Sequence, residues 1–197
     1  MSSVAPAPRL SAAARREQIL AVALEVLGEV GYHGASMNDI AEAAGVTKPV
    51  LYQHFASKRE LYLALIDAAG DRLISAIGDA TADATDGRRQ TELGFKAYFS
   101  WVANERHAFM LLFGGGSRRD DEFALAVRRI TSDAAQAIAP LIAVDIDEEA
   151  RRTVAHGLVG LAEGASRRLV ERGEGFDPDE VAATVSRLAW AGLRALG

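Results

Sequence analysis

No cysteine occurs in the chain. Disulfides, thiolate catalysis and cysteine-based zinc sites are therefore excluded, and the absence fits a protein of the reducing cytoplasm. No apolar run reaches the length of a membrane span, so no contact with a membrane is expected. The opening stretch MSSVAPAPRLSAAARR has no basic region leading into an apolar core and does not read as a secretory signal. Alternating apolar and polar residues, the mark of a half-buried strand, are also missing. The four histidines (His33, His54, His107, His156) are scattered without metal-ligand spacing, so no metal is expected. No serine, histidine and acid set has a recognisable nucleophile context, no cofactor motif is present, and no catalytic residue is assigned. The GGGS at 114–117 lacks a preceding strand and a lysine at the Walker spacing, and reads as a connector between helices.

What is present is a short, well-punctuated segment at 36–60, SMNDIAEAAGVTKPVLYQHFASKRE. Ser36 reads as a helix N-cap, with Asp39 three residues on as its capping-box partner. Met37, Ile40, Ala41 and Ala44 recur at helical spacing and define one buried face. Gly45 ends this helix, since glycine takes a positive φ after the last turn without a Cβ clash. Val46 plugs the turn. Thr47 caps a second helix, and Pro49 fits its first turn, where no N–H partner is lost. That helix extends to about Phe55, and Ser57 with Glu60 caps a third. Helix, glycine turn, helix is the helix-turn-helix pattern, here at about 36–55.

The second helix of the pair carries the information. Leu51 and Phe55 share a core-facing side, and Lys48, Pro49, Tyr52 and Gln53 share the opposite one. A cation, an amide, a phenol and a proline ring make a poor core. They suit a major groove, where lysine reaches guanine acceptors, glutamine pairs with adenine and an apolar ring meets a thymine methyl. His54 and Lys58 flank this face where phosphates would run, and Lys58 opens a helix whose free N–H groups favour an anion. The blander alternative is any helical hairpin with a solvated face.

The order AGVTKPVLYQHFASKRELYLAL resembles the DNA-binding helix-turn-helix of the tetracycline-repressor (TetR) family of bacterial regulators. The likeness covers roughly 12–66 and rests on A-G-V, then small-K-P, L-Y-x-H-F and S-K-x-x-L. It implies that Thr47, Lys48, Pro49, Tyr52 and Gln53 present the operator-reading helix, with His54 and Lys58 on phosphates. Ser36 and Asn38 would stand at the start of the supporting helix, near backbone or base edges. Arg59 occupies a position where the family often has an acid, which adds only positive charge. The net charge of −5 does not oppose this reading: to residue 62 the chain holds six cations and six acids, so the acid excess lies beyond. A module this neutral is expected to hold non-specific DNA weakly.

The chain is thus expected to be all-α, with a disordered tail at 1–11, a three-helix helix-turn-helix domain at 12–66 and a C-terminal helical bundle at 67–197. Helix 1 runs from about Ser11 to Val30 and stops at Gly31. Arg9, Arg15 and Arg16 read as a solvated tail, with a phosphate-touching arm as the alternative. Helix 4 runs from Lys58 to about Ala80, roughly 30 Å, out of the first domain. Residues 81–91 read as a loop. Further helices are expected at about Thr91–Glu105, His107–Phe113 and Asp120–Ala139, then from Asp147 to about Arg172 and from Asp177 on, where Pro178 takes the first position.

Two further sites follow. Phe95, Tyr98, Phe99, Trp101, Phe109, Met110 and Phe113 are candidates for lining a pocket, with ordinary core as the alternative, and His156 and Glu163 for its polar contacts. The resemblance implies a small apolar or amphipathic effector there. Glycines 157, 160 and 164 sit beside an apolar stripe of Leu158, Leu161, Ala165 and Leu169. The last helix offers Val181, Val185, Leu188, Ala189 and Gly192. Each glycine inside a helix costs about 1 kcal/mol relative to alanine, which close helix approach would offset. Packing within one chain is one explanation. A homodimer interface is the sharper one, because dimers suit pseudo-palindromic half-sites on double-stranded DNA. The expected function is a ligand-responsive repressor, with an activator as the alternative. A small helical enzyme, or a helical interaction protein using the 48–53 face, are readings from other classes.

Overall fold

The computed structural model describes residues 10–114, 120–171 and 175–196, and every regular element among them is helical. The chain divides between Leu65 and Ile66 into two compact units.

In the first unit, α1 (Ala12–Gly34) starts at Ser11, whose hydroxyl accepts the Ala14 N–H. Gly31, at φ 75° and ψ 170°, ends the regular course of the helix as expected, and one further short turn runs on to Gly34. Arg15 and Arg16 belong to the first turns of α1, where the Arg16 guanidinium lies 4.9 Å from the centre of the Phe55 ring. Arg9 lies outside the described residues. In α2 (Met37–Ala43) the capping box closes in both directions: the Ser36 hydroxyl accepts the Asp39 N–H at 3.2 Å, and the Asp39 carboxylate accepts the Ser36 N–H at 2.8 Å. Gly45 stands at φ 63°. Its N–H donates to the Glu42 carbonyl, while the Val46 N–H donates back to Ala41, each at 3.0 Å, the paired bonds of a Schellman turn. The Gln18 amide donates to the Ala44 carbonyl at 3.4 Å and holds this turn against α1.

Helix α3 (Lys48–His54) follows, with Thr47 in the N-cap position and Pro49 in the first turn. The Thr47 side chain makes no capping bond, a departure from its expected role. Helix α4 (Lys58–Thr81) has residues in both units. The Ser57 hydroxyl accepts the Glu60 N–H at 3.1 Å, but the Glu60 carboxylate reaches the Ala56 N–H at 2.8 Å, one residue before the position a capping box uses. Ile19, Ile40, Leu51, Phe55 and Leu61, one or more from each helix or its flank, are fully buried. Each such side chain contributes about 1.5–3 kcal/mol on leaving water.

The second unit adds α5 (Gly87–Asn104), α6 (Arg106–Phe113) and α7 (Asp121–Ile138) to the rest of α4. A single 3-10 turn (Ala139–Leu141) then leads to α8 (Glu148–Glu171) and α9 (Pro178–Leu193). Helix α5 begins four residues before the expected Thr91. Asp86 accepts the Arg89 N–H at 2.8 Å, and Arg88 pairs with Glu92 one turn on, so a polar run that reads as loop is a capped first turn. Asp120, Asp147 and Asp177 cap α7, α8 and α9. The Arg151 guanidinium donates to the carbonyls of Ile142, Val144 and Ile146 and gathers the connection before α8. Helix α9 packs chiefly along α5, and α7 along α8. Residues 115–119, with most of the GGGS, lie outside the described residues.

Candidate nucleic-acid interface and ligand cavity

Seven residues form α3, and their burial splits it lengthwise. Leu51 is fully buried and Phe55 follows it into the core, while Lys48, Pro49, Tyr52 and Gln53 are exposed. Tyr52 is 42 % exposed, large for an aromatic side chain that could pack. The Lys48 ammonium lies 5.9 Å from the centre of its ring, so cation and phenol form one surface. Val50 and His54 sit half-buried at the margins. Ser36 and Asn38 are exposed at the start of α2, and the Thr47 hydroxyl at the start of α3 is not consumed by the helix end. These groups can donate to phosphate or base-edge acceptors without first breaking a structural bond.

Lys58 is placed differently. Its ammonium donates to the carbonyls of Tyr32 at 2.7 Å and Ala35 at 2.8 Å, and stands 4.4 Å from the centre of the Tyr32 ring. It closes the C-terminal end of α1, where carbonyls lack helical partners. An ammonium has three protons, and the third is not spent on these two bonds. The Tyr32 ring stacks edge-on against Tyr62 as well, which fixes the pocket that Lys58 enters.

The second unit contains a cavity of about 960 Å³, counting its part open to solvent. Its wall is almost wholly apolar. Leu73 and Ile77 come from α4, Phe95 and Tyr98 from α5, and Phe113 from α6. Ile130, Ala134 and Ile138 come from α7, Leu158, Val159 and Ala162 from α8, and Trp190 and Leu193 from α9. Of the residues expected to line a pocket, Phe95, Tyr98, Phe113 and Glu163 do so. Phe99, Trp101 and Phe109 are buried in the core but do not line it, and Met110 is 40 % exposed on the outer side of α6. His156 is exposed and faces a separate, mixed groove with Ala135, Ala139, Glu148, Arg151 and Arg152. It shares a helix side with Glu163, about 10 Å away along the axis, but does not line the cavity. Glu163 is ion-paired with Arg167 one turn on. Sequence periodicity misses the α7 and Trp190 contributions, although Ile130, Ala134 and Ile138 do recur every fourth residue.

On α8 and α9 the expected interface residues divide. Val185 and Ala189 are buried within the chain and Leu158 faces the cavity, while Leu161, Ala165, Leu169 and Val181 are half-buried. Leu188 is 64 % exposed. A Cβ added to Gly157, Gly160, Gly164 or Gly192 would meet nothing within 4 Å, so packing inside this chain does not account for these glycines.

Among known proteins, residues 19–65 match the bacterial regulatory proteins of the tetR family, and residues 88–192 match the tetracyclin repressor-like C-terminal domain. The HTH-type transcriptional activator FasR of Mycolicibacterium smegmatis is 35 % identical over 187 residues, covering 94 % of this chain and 85 % of that protein. A TetR-like transcriptional regulator from Rhodococcus sp. RHA1 superposes with a TM-score of 0.76 at 28 % identity, covering 94 % of this chain and 99 % of that one. FadR from Bacillus subtilis, solved in complex with stearoyl-CoA, has a TM-score of 0.75 at 18 % identity, covering 88 % and 96 %, a likeness of fold.

Proposed function

Since the chain belongs to the tetR family of bacterial regulatory proteins, and is a transcriptional regulator rather than an enzyme, we propose that it binds a pseudo-palindromic operator as a homodimer and releases or grips it in response to a small apolar effector. The observation that carries the DNA reading is the split of α3, with Leu51 buried and Lys48, Pro49, Tyr52 and Gln53 left outside. Gln53 and Lys48 are the base-reading groups in this scheme, and Thr47, His54 and the third proton of Lys58 go to phosphates. Exposed Leu188 and the uncovered glycines of α8 and α9 support a dimer through those helices.

The apolar cavity supports the effector. Its chemistry suits a long hydrocarbon chain, in keeping with the stearoyl-CoA named for the Bacillus subtilis FadR structure. Leu73 and Ile77 put α4 in the cavity wall, and α4 also contributes to the first unit. An effector that favours one setting of α4 would alter the spacing of two recognition helices, which half-site geometry fixes at about 34–36 Å. FasR, 35 % identical over 94 % of this chain, is an activator, so activation is the first reading of output. Repression, by occupying a promoter, is the second.

In vitro selection of random duplexes by the purified protein, at two salt concentrations, tests the proposal. An enriched palindrome is expected, with half-site preference lost in Gln53→Ala or Lys48→Ala, at about 1–3 kcal/mol per bidentate contact. Failure to enrich any sequence at either salt would overturn sequence readout by α3. In vitro transcription from the selected site then reads the sign directly.

A further inference from the structure

The cavity differs at its two ends. At the far end it is closed by Leu73, Tyr98, Phe113 and Ile130, all buried. About 16 Å back along α5, the wall is built from Gly87, Gln90 and Trp190, which are half-buried, and Ala143, which is exposed. A Cβ added to Gly87 would stand 3.2 Å from Cβ of Ala143 and 3.4 Å from the Trp190 ring, so these three residues meet at a rim. Water therefore meets the wall at the start of α5. An amphiphile desolvates least polar surface with its chain at the far end and its head at this rim.

Gln90 is the free polar group there. It lines the cavity, and its side-chain amide makes no hydrogen bond among the described residues, so it can donate to a head group without losing a partner. Thr81 and Thr91 in the same wall already donate to carbonyls of their own helices.

A second groove lies on the other side of Trp190, which lines both. Helix α5 gives Gly87 and Gln90 to the cavity, and Arg88 and Glu92 to the groove. Arg88, Arg187 and Arg194 line this groove, against Glu92 as the one acid in its lining among the described residues. Glu92 is already paired with Arg88 and with Arg89. Arg187 and Arg194 are exposed and have no ion pair among the described residues. The excess positive charge is thus separated from the rim by a single indole. It is felt there at ordinary salt, where screening takes about 8–10 Å. Both arginines lie about a third of a turn of α9 from Leu188, so a dimer through Leu188 does not require them.

We infer that the cavity takes an amphipathic effector in one direction, with its chain toward Leu73 and Ile130 and an anionic head at the rim, where Gln90 donates to it and Arg187 and Arg194 attract it. This rests on reading the cavity as the effector site.

Trp190 reports the direction. The chain has two tryptophans, and the other, Trp101, is buried and does not line the cavity. In Trp101→Phe the indole fluorescence is that of Trp190 alone, and a bromine atom quenches it on close approach. Dodecanoate brominated beside its carboxylate is expected to quench more at saturation than dodecanoate brominated at its far end. Quenching that is equal, or stronger from the far end, would overturn the direction.

The charge of the head is read without touching the core and does not depend on Trp101→Phe folding. Arg187→Gln together with Arg194→Gln changes two exposed side chains. Displacing Nile red from the full chain at neutral pH should then take about fivefold more dodecanoate than in the parent, and no more tetradecane. Gln90→Leu should likewise weaken dodecanoate and spare tetradecane. Unchanged dodecanoate affinity in the double variant would overturn the anionic head site while leaving the cavity as the effector site. If the protein takes up neither Nile red nor either probe, the effector reading fails together with this one.

Discussion

A Cβ placed on Gly70 would lie 2.5 Å from Cδ1 of Ile130. Helices α4 and α7 therefore meet with backbone against side chain, closer than any larger residue allows. Ile130 also lines the cavity, beside Leu73 and Ile77 of α4. An occupant of the cavity thus touches α4 both directly and through the residue that rests on Gly70. Asp67 and Arg129 pair across the same two helices, but both are about half exposed, so the packing fixes the crossing more than the charges do.

Gly70→Ala should accordingly destabilise the chain, although alanine is the better helix former by about 1 kcal/mol. The overpacking cost of about 1–3 kcal/mol exceeds that gain. Urea unfolding reads the difference, and Ile130→Val in the same chain should recover part of it by removing Cδ1. A neutral or stabilising Gly70→Ala would mean that the two helices stand further apart in solution.

Lys58 and Lys48 should differ in kind. Lys58→Ala removes two charge-assisted bonds to the end of α1 and is expected to cost about 1–3 kcal/mol of stability as well as DNA affinity. Lys48→Ala touches no structural bond and should change DNA binding alone. If the third Lys58 proton meets a phosphate, the salt slope of binding falls by about one in Lys58→Ala. Unchanged stability in Lys58→Ala would remove its capping role.

These cases show what was legible in the sequence. The Ser36–Asp39 box, the Gly45 turn and the Asp177–Pro178 start depend on partners within a few residues, so residue order alone reveals them. The two faces of α3 follow from helical period in the same way. Lys58 reads from the sequence as an anion contact, and its second role stays hidden there, because its partners Tyr32 and Ala35 lie 26 and 23 residues away and leave no local trace. The start of α5 was hidden because one aspartate cap within a polar run resembles a loop. Met110 and His156 stand outside the cavity wall for a third reason: periodicity gives the side of a helix, but not which neighbour covers it.

The Ser36–Asp39 box should also leave a mark on acid stability. The Ser36 backbone N–H, and then its hydroxyl, hold the Asp39 carboxyl below its ordinary value. A group whose pKa is depressed by folding stabilises the fold above its unfolded value, about 3.9, and loses that contribution as pH falls through the folded value. The difference in Tm between the parent and Asp39→Asn should therefore be constant near neutrality and shrink only below about pH 4. A difference that persists unchanged in strong acid would mean that the carboxylate charge is irrelevant to the cap.

Leu188 offers the sharpest test of the dimer. At 64 % exposure it contributes little to the fold of its own chain, whereas Val185 and Ala189 on the same helix are buried. Leu188→Glu should therefore leave helicity and Tm at high dilution nearly unchanged. In a two-fold interface the same substitution acts on both copies, removing about 1.5–3 kcal/mol of apolar burial each time and adding two like charges. Sedimentation at micromolar protein should show a dimer for the parent and a monomer for the variant. Affinity for a full palindrome should fall toward that for a single half-site, with the base preference within each half-site intact, because α3 is untouched. A Leu188→Glu protein that stays dimeric would place the interface elsewhere and leave the open glycines of α8 and α9 without this explanation.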